Sequence, residues 1–154
     1  MSVLVLALGL AGCGLSVPAD PDGTLQRVTG GELRVGLSPN PPWTVLPAGG
    51  DETPGGREVE LVHQLADELG AEVRWTIGGE EDLMGRLEQD ELDLVVGGLT
   101  EDSPWTTHAA LTLPYTSAPG PDGDPVGHVL ATPLGENAFL VEVERLLLEQ
   151  DGER

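Results

Sequence analysis

The residues able to meet a small molecule fall in three short stretches. The first is Ser38-Pro39-Asn40-Pro41-Pro42-Trp43, whose two consecutive prolines stiffen the backbone ahead of Trp43. An indole held this way is presented at low entropic cost. Stacking or cation–π contact from it is worth about 0.5–2 kcal/mol. The same ring can instead pack beneath its own loop, and the sequence leaves both readings open. The second stretch is Gly97-Gly98-Leu99-Thr100. Its paired glycines allow a ligand or a second backbone to come close, and Thr100 adds a hydroxyl and an N–H. The third is Trp105, either a second stacking wall or a plug over the same face.

Other chemistry finds less support. His63 falls on the exposed side of a helix, and His108 and His128 meet only if both flank the central strands. No HxxxH or HxH spacing supports a metal site. Glu80-Glu81-Asp82 and Glu88 to Glu91 read as solvated charge. No GxSxG, Walker A or Cys–His arrangement is present. No enzyme activity, cofactor or metal is expected.

The elements that position these stretches follow from periodicity. Leu33, Val35 and Leu37 alternate with Arg34, Gly36 and Ser38 as a strand, and Pro39 stops it. Val59, Val62, Leu65, Ala66 and Leu69 fall at helical spacing, with Gly70 as C-cap and Glu58 and Glu60 in the first turn. Val73, Trp75 and Ile77 alternate again, Leu83, Met84 and Leu87 mark a short helix, and Asp93 to Val96 gives a buried strand. The order β-α-β-α-β predicts an α/β fold with a parallel sheet and right-handed crossovers. Val129 to Ala131 reads as a returning strand. Phe139, Leu140, Val143, Leu146 and Leu147 form a last amphipathic helix behind Asn137. Ligands of such sheets sit beyond the carboxyl ends of the strands, where all three stretches lie.

The 154 residues fit one domain. A net charge of −20, from 27 acidic residues against seven arginines, excludes nonspecific nucleic-acid binding and charge docking on anionic lipid. A single Cys excludes an internal disulfide and a Cys-rich zinc site. The apolar run Val3 to Leu10 is too short to span a bilayer and fits the core of a secretory signal. It leads into Leu10-Ala11-Gly12-Cys13, which resembles a bacterial lipobox, although nothing basic precedes the run. Residues 1–13 are thus expected to be a lipoprotein signal ending at the lipidated Cys13. Residues 14–31 are expected to be a flexible tether, 32–150 a single lobe, and 151–154 a tail.

Several motifs in order resemble one family. Glu32-Leu33-Arg34-Val35-Gly36-Leu37 with Pro41-Pro42-Trp43 looks like the opening of extracellular solute-binding proteins of family 3, the binding components of polar amino-acid ABC transporters. Gly56-Arg57-Glu58-Val59-Glu60-Leu61 is similar to their first helix, and Leu92 to Thr100 to their third strand and ligand loop. Leu111 to Tyr115 resembles the segment leaving the first lobe, and Leu130 to Gly135 the return to it. The resemblance implies lobe I of a type II periplasmic binding protein.

Two departures qualify what the resemblance implies. Family members close two lobes over a ligand, yet here only residues 116–127 separate the outgoing and returning segments, enough for a loop and not for a lobe. Amino-acid binders also carry an Arg five positions after the loop Thr, to pair with the ligand carboxylate. That position is Trp105 here, and an indole cannot replace a guanidinium fork. The expected function is a non-catalytic, membrane-tethered, extracytoplasmic solute-binding lipoprotein. It would hold a small polar solute weakly through Ser38, Trp43, Gly98, Thr100 and Trp105, and an ABC permease or another membrane protein is its expected partner. The alternative is an accessory module of a transporter or sensor that has lost ligand binding, its open face covered by a partner or a second copy in a homodimer.

Overall fold

The structure, a computed structural model, describes residues 18–49 and 53–152. The signal-like leader and Cys13 lie outside them. Strands β1 (Glu32–Leu37), β2 (Glu72–Ile77) and β3 (Leu94–Val96) run parallel, with helices α2 (Arg57–Leu69) and α3 (Glu80–Glu88) as the crossovers. The short strands β4 (Ala110–Leu111) and β7 (Ala131–Thr132) complete a sheet of order β2-β1-β3-β7-β4. The returning strand β7 pairs antiparallel with β3, through Val95 and Ala131. Its chain enters from the strand-end side of the sheet, so it must run back against β3. Helix α4 (Asn137–Gly152) closes the chain and runs into the expected tail.

The pleat of β1 sorts the core. Leu33, Val35 and Leu37 face α2 and α4, packing with Val62, Leu65, Phe139 and Val143. Gly36 points the other way, where an added Cβ would stand 2.8 Å from Leu92 Cδ1 and 3.1 Å from Leu83 Cδ2. The absent side chain lets α3 lie close. Leu83, Met84 and Leu87 then pack with Val95, Leu99 and Ala131 on that second face. Helices thus cover both faces, as a buried parallel sheet requires. Each fully buried aliphatic side chain contributes about 1.5–3 kcal/mol of transfer free energy.

Two expectations are corrected. Within the expected tether, Thr24–Val28 forms helix α1, and Val28 is fully buried in the main core. The buried carboxylate of Glu136 accepts the N–H groups of Asp22 and Thr24, each at 2.9 Å, and Asp20 accepts that of Leu25 at 2.8 Å. Arg27 reaches Asp93 at 2.7 Å. Composition suggested a linker, but these distant carboxylates pin it. The expected loop 116–127 is instead a hairpin, β5 (Thr116–Pro119) against β6 (Pro125–His128). Its prolines face each other at the turn end of the ladder, where a missing N–H costs least.

Candidate functional site

The site is assembled where β1 and β3 end. Ser38 extends the β1–β3 ladder by donating its N–H to the Val96 carbonyl at 2.9 Å. The chain then turns, and the Thr44 hydroxyl donates back to the Ser38 carbonyl at 2.5 Å. After β3, Gly97 and Gly98 swing the chain through a left-handed residue, Gly98 at φ 67°. A side chain is excluded there on two counts, since a Cβ would also stand 2.4 Å from Trp43 Cδ1. The glycine space is filled by Trp43 and by Asn40, whose Nδ2 donates to the Gly97 carbonyl at 2.8 Å.

Beneath this turn lies Glu58, a residue of the first turn of α2 that is fully buried. Its Oε2 accepts the N–H groups of Gly97 and Gly98 at 2.7 and 2.9 Å, and its Oε1 accepts the Tyr115 hydroxyl at 2.5 Å. Burial pushes its carboxyl above the usual range, opposed by these three donors and by the Arg57 charge. Burial and the neighbouring Glu58 push the Tyr115 phenol far upward, so it stays a donor. One carboxylate therefore locks the β3 turn to α2 and to the segment entering the hairpin.

Above the turn, Trp43 is half-buried between aromatic partners. His128 lies on it with ring centroids 3.8 Å apart, and Tyr115 meets it edge-on at 6.4 Å. Burial, with Arg57 nearby, holds the His128 imidazole below its ordinary range, so it is neutral at pH 7. His128 also bridges Thr100 through the backbone, and Glu101 exchanges backbone and side-chain hydrogen bonds with Gly127 at 2.9 Å. The hairpin thereby folds over the strand ends and encloses one side of a pocket of about 710 Å³. Asn40, Thr100, Asp102 and His128 form its polar wall, and Pro119, Pro121 and Val126 its apolar wall.

Of the five ligand contacts expected from sequence, only Thr100 lines this pocket. Ser38, Trp43 and Gly98 lie together just beneath it, as the framework of the turn. Trp105 is elsewhere: on the 3₁₀ turn Pro104–Thr107 it packs against the α3-side core, and its Nε1–H donates to Glu80. It neither plugs the pocket nor walls it. His108 sits beside Trp105 and pairs with Glu88 at 3.0 Å, away from the group around His128. Sequence reasoning missed Asn40, Asp102 and His128 as pocket residues, and Glu58 as their support. Glu58 was detectable in principle, because it is in helical phase with Leu61, Val62 and Leu65.

Residues 33–121 match the sequence profile of the bacterial extracellular solute-binding proteins, family 3.

The chain belongs to this family.

Solved structures show the same fold. The arginine-bound form of domain 1 from TmArgBP, the ArgBP of T. maritima, superposes with a TM-score of 0.69 at 24% identity, over 80% of this chain and 97% of that one. An ancestral cationic amino-acid solute-binding protein gives 0.71 at 13% identity, over 86% and 93%. A Salmonella typhimurium periplasmic binding protein with high arginine specificity gives 0.67 at 13%, over 79% and 93%. No curated protein sequence matches the chain. This family 3 chain thus has the architecture of the first lobe, with the hairpin β5–β6 where its outgoing and returning segments meet.

Proposed function

We propose that this chain is a single-lobe, extracytoplasmic solute-binding protein that holds a small polar solute in the strand-end pocket without transforming it. The observation that carries this reading is the pocket of about 710 Å³ beyond β1 and β3, in a member of a solute-binding family. Its size falls in the range of small-molecule sites, and its wall mixes convergent polar groups with an apolar side. Non-catalytic binding is favoured by the chemistry of that wall. Among the described residues no hydroxyl is hydrogen-bonded to the His128 ring, the pairing that would activate it as a nucleophile. Arginine-bound and cationic-amino-acid-binding structural neighbours make such solutes the first to test. An open, one-sided pocket leaves much of the ligand in water, so weak affinity follows. A lipid on Cys13 would keep the lobe at the membrane face, near a permease that receives the solute.

A thermal-shift screen of the purified chain against amino acids, amines, sugars and carboxylates tests binding. A solute at about 100 times its Kd adds about 2.7 kcal/mol, several degrees for a domain of this size. The expected result is a shift that Thr100→Ala diminishes. A cooperative melt that no compound moves would overturn solute binding. Anchoring has its own test: a lipid label should enter the wild-type chain in bacteria and be lost in Cys13→Ser.

A further inference from the structure

Among the described residues, the polar wall of the pocket offers acceptors and no cation. We infer that its solute is a small donor-rich cation without a carboxylate, such as an aliphatic diamine or an alkylguanidine. This inference rests on the reading that the pocket binds a solute at all.

Four observations carry it. Asn40 already spends its Nδ2 on the Gly97 carbonyl at 2.8 Å, and among the described residues no donor reaches its Oδ1. The free end of that amide is therefore an acceptor. Asp102 adds an exposed carboxylate to the same wall. His128 lines the wall as a largely buried, neutral ring, so it brings no positive charge to the pocket. Thr100 supplies a hydroxyl that can accept alongside them.

Among the described residues no guanidinium lines the pocket to meet a carboxylate. Arg57, the nearest, stands 5.6 Å over the Tyr115 ring and donates to Thr116 at 3.2 Å. Arg27, Arg34, Arg74, Arg86 and Arg145 are each tied to carboxylates. An ammonium or guanidinium brings several N–H donors and no acceptor, which complements such a wall. A carboxylate brings only acceptors and would face Asp102 unpaired. The opposite wall of Pro119, Pro121 and Val126 suits a methylene chain. A net charge of −20 raises the local concentration of cations over the whole face.

Matched pairs give the test: agmatine against arginine, and cadaverine against lysine, each pair differing by a carboxylate. Calorimetry on the purified chain at low salt should show the decarboxylated member binding about tenfold or more tightly. That affinity should fall as salt rises, and Asp102→Asn should weaken it about two- to fivefold. Thr100→Ala should weaken it as well, in a chain that still melts cooperatively. Arginine or lysine binding as tightly as its counterpart would overturn the inference and leave solute binding standing. Agmatine binding that ignores salt, Asp102 and Thr100 would overturn the assigned site. Silence from these four and from the wider screen would overturn solute binding itself.

Discussion

The imidazole of His128 lies on the indole of Trp43, centroids 3.8 Å apart and planes tilted by 31°. This contact joins the last residue of the hairpin to the loop after β1. It therefore ties the hairpin wall of the pocket to the loop that follows β1.

The contact should depend on pH. His128 titrates below its ordinary 6.5, because burial disfavours the charged ring. A depressed histidine contributes stability that is fully present above 6.5 and lost as pH falls through the folded value. Urea unfolding should show the chain losing stability from pH 7 toward pH 5, and His128→Gln should flatten that slope. An unchanged slope in the variant would show that other groups set it.

Glu58 should matter more than an exposed first-turn acid does. Glu58→Ala leaves the Gly97 and Gly98 N–H groups and the Tyr115 hydroxyl without their acceptor, and should cost about 2–4 kcal/mol by denaturant unfolding. Glu58→Gln keeps an oxygen for the amides and should cost less than about 1.5 kcal/mol. The sign with pH is opposite to that of His128. A carboxyl raised above its ordinary 4.5 loses its contribution as pH climbs through the folded value.

Gly98→Ala tests the turn itself. The left-handed backbone at φ 67° and the approach of Trp43 both oppose a methyl group. A loss of about 1–3 kcal/mol is expected, with a change in tryptophan emission as the indole is displaced. Gly79→Ala, where φ is −75° and nothing lies within 4 Å, should be nearly neutral.

Asp93 holds the opposite end of the sheet. Its buried carboxylate meets Arg34 at 2.6 Å and Arg27 at 2.7 Å, so it sits below the usual carboxylate range despite its burial. Asp93→Asn leaves these guanidinium groups without their charge partner and should cost about 3 kcal/mol. Stability from this group is present above its ordinary 3.8 and lost as pH falls through the folded value. Acid unfolding should accordingly begin at higher pH once Arg34→Met raises that value.

The parallel frame was legible because each strand carries its own alternation and each crossover helix its own apolar stripe. The α1 segment was not. Five residues are too few to show a helical period, and its docking depends on Glu136 and Asp93, far away in sequence. The hairpin was hidden by Pro119, Pro121 and Pro125, which argue against strands unless they gather at a turn. At the site, Thr100 could be read because its loop follows a recognisable buried strand. Asn40 and Asp102 look like any polar loop residues, and only the fold over them gives them a common cavity. Trp105 misled because its rank after Thr100 says nothing of direction. The 3₁₀ turn it occupies carries the ring toward Glu80.

The hairpin that walls the pocket springs from neighbouring points, with the Tyr115 N–H donating to the His128 carbonyl at 3.0 Å across its base. The two segments there carry only the short hairpin β5–β6 between them, so among the described residues no second body stands over the pocket. Capture would then need no latch, and a solute held at millimolar affinity would stay for about 0.1–10 ms at association rates of about 10⁵–10⁷ M⁻¹s⁻¹. A membrane partner reading this lobe would sense how often the pocket is filled, rather than a change in its shape.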